Sequence, residues 1–141
     1  MSHQLPATAG TDDGVPPVFS FSYRSIPFRV RLRETDAGVV GVLEAVIGIV
    51  PFTVDGDSLR SNMLAVIDKA RRSAGYGIDV GANHAISLSV ALPVDDMTPA
   101  DKILAAAMEQ LAGAKTFLDL VLLLQPPHLR KITGALSRNA A

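Results

Sequence analysis

Apolar and polar side chains alternate with a period of two in several stretches of the chain. The first begins at Val18, where Phe19, Phe21 and Tyr23 alternate with Ser20, Ser22 and Arg24, and it predicts a half-buried strand. Pro27 interrupts the run; proline has no N–H to give to a ladder, so a bend or an edge position is expected there. The next run sorts more sharply: Phe28, Val30 and Leu32 share one side of an extended chain, and Arg29, Arg31 and Arg33 share the other. Thr35-Asp36-Ala37-Gly38 supplies turn chemistry, with Gly38 free to take positive φ. Val39–Val50 is long and rich in β-branched residues. Gly41 and Gly48 within it predict a bulge, a close approach, or a strand bent into two pieces.

The period then changes. Pro51–Asp57 reads as a loop, and Asp57 or Ser58 stands where a helix cap belongs. Leu59, Met63, Val66, Ile67, Ala70 and Ala74 recur at helical spacing, and Gly75 falls at the stop position. Tyr76–Val80 and Ala85–Leu92 read as two strands of a hairpin joined by Gly81-Ala82-Asn83-His84. Thr98-Pro99-Ala100-Asp101 predicts a second helix, with Thr98 as its N-cap and Pro99 in its first position. Its apolar face (Ile103, Leu104, Ala107, Met108, Leu111, Leu118, Val121 and Leu122) runs as far as residue 124. Gly113 costs about 1 kcal/mol relative to alanine and predicts a kink or a close helix contact. Gln125-Pro126-Pro127 ends the helix.

These elements divide the chain into a mobile tail over 1–17, one domain over 18–125 and a C-terminal tail over 126–141. The tail at the end carries Arg130, Lys131 and Arg138 and reads as unstructured or as one loose helical turn. The order β-β-β-α-β-β-α, with short turns between neighbouring strands, predicts an α+β two-layer sandwich. In it an antiparallel sheet of about five strands carries two helices packed on one face.

Composition narrows the function. A chain of 141 residues with 48% apolar side chains suits a single core. With no cysteine, disulfide scaffolds and thiolate-ligated metals are excluded. Thirteen basic against 14 acidic residues leave a net charge of -1, which lacks the unbalanced field of a nucleic-acid binder. The two greasiest stretches, Val39–Val50 and Phe117–Leu124, contain Glu44 and Asp119 and fall well short of the ~20 apolar residues that span a bilayer. No basic start followed by an apolar segment marks the N-terminus, so a cytoplasmic protein without membrane association is expected.

Several of these residues occur together in one known arrangement. Leu59-Arg60-Ser61-Asn62-Met63-Leu64 in the first helix, the Ile86–Leu92 strand, Leu92-Pro93-Val94-Asp95 and the Thr98-Pro99 helix start resemble the type III secretion chaperone-like fold. Within that fold they resemble the YbjN-type bacterial sensory-regulator family, over residues 18–124. The resemblance implies a bacterial, non-enzymatic, chaperone-like domain that forms a homodimer and binds a segment of a partner protein.

Residues with catalytic chemistry do not assemble into a motif. His3 lies in the tail, His84 in a hairpin turn and His128 after two prolines, none with a second ligand at useful spacing. Asp55-Gly56-Asp57 begins like a calcium loop, but Arg60 and Met63 stand where oxygen ligands belong. Asp95 and Asp96 are adjacent acids on a loop, and no Gly-x-Ser-x-Gly elbow is present. No catalytic, cofactor-binding or metal-binding residue is therefore expected, and the chain is read as not an enzyme. The remaining candidate is the stripe Arg29, Arg31 and Arg33, whose guanidinium groups recur every ~6.6–6.8 Å along the strand. It is either a solvated face offset by Glu34, Asp36, Glu44 or helix carboxylates, or a docking strip for an acidic protein segment. The alternative to an interaction domain is a small-molecule-binding or enzymatic α+β domain with a pocket between helices and sheet.

Overall fold

The computed structural model describes the backbone over residues 19–74 and 76–140, and side chains over 20–72 and 76–136. The residues expected to form the N-terminal tail, and Gly75, lie outside the described residues. Five strands form one antiparallel sheet: β1 (Phe19–Tyr23), β2 (Ile26–Thr35), β3 (Gly38–Ile49), β4 (Gly77–Val80) and β5 (Ala85–Leu92). In space their order is β1-β2-β3-β5-β4, so β5 returns beside β3 and leaves β4 at the edge. Three helices accompany them: α1 (Asp57–Ala74), α2 (Ala100–Leu123) and α3 (Pro127–Ala140). This is the expected α+β class, with one helix more than the sequence order β-β-β-α-β-β-α contains.

The strand register explains the core. Val30 faces Leu43 across β2 and β3, Leu43 faces Val90 across β3 and β5, and Leu88 faces Ile78 across β5 and β4. Alternate residues of every strand therefore share one side. Against that side pack Met63, Ile67 and Ala70 of α1, and Ile103, Ala107, Leu111, Ala114, Leu118 and Val121 of α2. Helical repeats of three and four residues supply both stripes. On β1 and β2, Phe21 stacks on Phe28 with ring centroids 5.8 Å apart, while Tyr23 meets Phe28 edge-on at 6.3 Å.

Two of the three glycines of β3, Gly41 and Gly48, are close-approach positions. A Cβ on Gly41 would lie 2.3 Å from Val94 Cγ2, and one on Gly48 would lie 2.6 Å from Gln125 Oε1. The bulge the sequence anticipated lies beside the second, where the register slips between Val46 and Gly48.

Two local expectations are corrected. Thr98 does not cap α2: its hydroxyl accepts from the Asp95 N–H at 3.0 Å and donates to Asp95 Oδ1 at 3.0 Å. Asp95 Oδ1 closes an Asx turn by accepting from the Met97 N–H at 2.9 Å, the Thr98 hydroxyl joins that turn, and the Pro99 carbonyl accepts the first helical bonds from Lys102 and Ile103. The second correction concerns the tail expected over 126–141, of which Pro127–Ala140 is a helix. Proline is tolerated in the first helical turn, where its missing N–H leaves no bond unmade, so Pro127 opens α3 rather than prolonging a stop.

α3 packs on β3 and β2. Val42, Ile49 and Arg31 point away from α1 and α2 by the register, yet their exposures are 8%, 2% and 3%. α3 is what covers them, with its own Leu129 fully buried and Thr133 nearly so. The arrangement of two helices on one face is thus joined by a third helix on the other, over one half of the sheet.

Candidate functional site

The larger of two cavities among the described residues lies between α1, α2 and the chain just after α1. Val66 and Ala70 stand four apart on α1, while Gly113, Thr116, Phe117 and Leu120 form one face of α2. Tyr76 closes one end, its ring centroid 6.3 Å from that of Phe117. The groove holds about 280 Å³ and is lined by these side chains and Lys69. A Cβ on Gly113 would meet the Tyr76 hydroxyl at 3.9 Å, an ordinary contact, so the glycine widens the mouth without being demanded by it. Leu120, at the rim, is 39% exposed. The walls are apolar and the ammonium and two hydroxyls are peripheral. Such a lining removes apolar surface from water and has few groups to hold a reacting atom.

A smaller cavity of about 180 Å³ sits at the C-terminal end of α2, between the β1–β2 turn and α3. Arg24 and Arg130 line it together with Ile26, Pro27, Ile47 and Leu122. Arg24 Nη1 lies 2.6 Å from Asp119 Oδ1. That oxygen has no aligned hydrogen-bond donor, so the contact is ionic. The Tyr23 side chain's hydrogen bond, and then the Asp119 charge, push the Arg24 guanidinium above its ordinary pKa.

The arginine stripe is arranged otherwise than an open docking strip would be. Arg31 Nε donates to Glu44 Oε1, and Arg29 Nη2 lies 3.6 Å from the same oxygen. One carboxylate on β3 thus meets two guanidinium groups on β2, as the antiparallel partner position of Arg29 requires. Burial differs along the stripe: Arg31 is buried beneath α3, while Arg29 and Arg33 are half-buried.

The other singled-out residues make contacts elsewhere in the fold. His84 occupies the β4–β5 turn at φ 66° and sets its ring edge-on to Phe52 at 5.1 Å. His128 Nε2 lies 3.2 Å from Asp55 Oδ1, a meeting of two elements far apart in sequence. Asp55 also accepts from the Phe52 N–H at 2.9 Å, which holds the single 3₁₀ turn Thr53–Asp55. Among the described residues no group of three His, Cys, Asp or Glu side chains gathers as a metal site. No helix among them is long and apolar enough to cross a membrane.

Helical spacing in the sequence places Val66, Ala70 and the Phe117–Leu124 stretch in helices but does not bring them together as a groove. One signal was present: α2 carries Leu104, Met108, Leu120, Leu122 and Leu123 beyond what a single core stripe needs, and all are exposed. Comparison of the chain with protein-family models, with curated proteins and with solved structures gives no match.

Proposed function

We propose that the chain is a non-enzymatic, chaperone-like interaction domain that binds an apolar segment of a partner protein in the groove between α1 and α2. The groove's composition carries the reading: Val66, Ala70, Phe117 and Leu120 form the walls, with Lys69, Thr116 and the Tyr76 hydroxyl around the rim. An apolar trough with a polar border is how an amphipathic segment is held, with side-chain anchors buried and ends left in water. The resemblance to type III secretion chaperone-like domains agrees in kind. The acidic-segment partner suggested by the arginine stripe is less favoured, because α3 covers Arg31.

The test is photo-crosslinking in native lysate from positions 69 and 120, compared with the variant Leu120→Glu. Capture of one defined protein, competed by a peptide from it with apolar residues at helical or alternate spacing, and lost in Leu120→Glu, supports the reading. Crosslinks only between two copies of the chain would instead make the groove a homodimer contact. A second reading has one observation in its favour: 280 Å³ is close to the lower end of the ~300–1,000 Å³ that small-molecule sites occupy. Saturable binding of a small apolar compound, with no protein captured, would select it.

A further inference from the structure

The cavity between the β1–β2 turn and α3 has the makings of a second site, independent of the groove. Its apolar side is Ile26, Pro27, Ile47 and Leu122; its charged side is Arg24 and Arg130, brought from opposite ends of the chain. No carboxylate lines it. Each guanidinium spends only part of its donor capacity. Arg24 Nη1 faces Asp119 and the guanidinium also bonds the Tyr23 side chain, while Arg130 Nη2 donates to the Leu122 carbonyl at 3.2 Å. A guanidinium has five N–H donors in a planar fork, so donors remain on both. Ser25 and Thr133 add hydroxyls to the lining, the latter already donating to the Leu129 carbonyl at 2.9 Å and so able to accept.

The turn that presents Arg24 is costly in itself. Tyr23 pairs with Ile26, leaving Arg24 and Ser25 as a two-residue hairpin loop with φ of 53° and 65°. Both residues lie in the left-handed region, where Asn-Gly or Gly-Gly is the favoured pair. A long cation at the first position is not what the turn selects. The turn aims this side chain at Asp119 and at the cavity beside it.

We infer that this cavity binds a small carboxylate bearing a short apolar group, the carboxylate between Arg24 and Arg130 and the apolar part against Ile26, Pro27, Ile47 and Leu122. A volume of about 180 Å³ restricts the ligand to a carboxylate with no more than one small ring or a chain of like size. Fork-to-carboxylate pairing is among the stronger polar contacts because both partners are charged and planar. A bare inorganic anion fits the charge but leaves the apolar side wet.

Benzoate is a suitable probe, with benzamide as its neutral isostere and inorganic phosphate as the anion without an apolar part. Titration followed by backbone amide shifts is expected to show saturable benzoate binding at Ile47, Thr133 and Gly134. Benzamide and phosphate should each bind at least tenfold more weakly. Arg130→Gln, at an exposed position, should weaken benzoate at least tenfold while the melting temperature stays unchanged. Arg24→Gln should do the same, and if it fails to fold the Arg130 variant carries the test alone. Equal binding of benzamide, or equal binding of phosphate, overturns the ligand class. Shifts confined to Val66, Tyr76 and Phe117, or no saturable binding at any site, overturn the site.

Discussion

The side-chain amide of Gln125 makes both backbone hydrogen bonds of Ile49: Oε1 accepts from the Ile49 N–H at 2.6 Å, and Nε2 donates to the Ile49 carbonyl at 2.7 Å. The residue acts as a one-residue strand laid beside β3. Gln125 is only 4% exposed and stands between α2 and α3, so the junction of the two helices is pinned to the bulged end of the sheet. Gly48 makes room for it, since a Cβ there would occupy the space of Oε1.

Replacing this amide by an isosteric apolar side chain leaves a buried donor and a buried acceptor unmade. Each costs about 1–3 kcal/mol. Gln125→Leu is therefore expected to lose about 2–4 kcal/mol in urea unfolding with the denaturant slope preserved. A loss below about 0.5 kcal/mol, the range of an ordinary surface change, would show that the pairing is dispensable.

Glycines in this chain differ in what they tolerate. Gly41→Ala drives a methyl group into Val94 and should cost about 1–3 kcal/mol, as overpacking does. Val94→Ala in the same chain should return part of that loss, giving a favourable coupling in a double-mutant cycle. Gly113→Ala should do the opposite. Its Cβ meets only an ordinary contact, and alanine is about 1 kcal/mol better inside a helix, so the melting temperature should rise.

Glu44 sits where two guanidinium groups converge. Glu44→Gln removes the charge that Arg31, 3% exposed, pairs with, and a loss of about 3 kcal/mol is expected from breaking a buried pair. Asp68→Asn gives the contrast: it breaks the Arg72–Asp68 bridge, whose side chains are 73% and 59% exposed, and should change stability by less than about 0.5 kcal/mol. Chemical denaturation of the two variants in parallel checks the ratio; equal losses would refute the burial argument.

The open edge of the sheet at β4 is occupied by a side chain. Arg71 Nε donates to the Ile78 carbonyl at 2.9 Å, on the strand that has β5 as its only neighbour in the sheet. An unpaired edge is a template for another chain, and a cation placed on it discourages that pairing. Arg71→Ala is expected to leave the melting temperature within a few degrees while raising self-association in sedimentation velocity. Unchanged monodispersity at the highest concentration reached would remove the edge from consideration.

Alternation and helical spacing made β1 to β5, α1 and α2 legible, because burial on one side imposes a period that survives in the residues. Alternation sets Val30 apart from the arginines of its strand, and Leu88 and Val90 apart from their serines, but Leu43 lies in a run without alternation and only the register places it between Val30 and Val90. α3 was hidden for a physical reason: its buried face rests on few large side chains, Leu129 foremost, and it begins at a proline that also fits a stop. Thr98 was misplaced because one hydroxyl can serve a helix end or an Asx turn, and Asp95 three residues earlier decided for the turn. The groove was invisible for a different reason. Val66 on α1 and Phe117 on α2 look like core residues in their own helices, and only the distance between those helices makes them walls.

The sheet's second side is roofed over β2 and β3 and bare over β5, where Ser87, Ser89 and Ala91 meet solvent directly. Small hydroxyl and methyl groups need no shelter, so the uncovered half stays hydrated without a fourth helix. The molecule is therefore three tiers thick along one flank and two along the other, and the step between them is a ledge whose height is one helix diameter, about 10 Å.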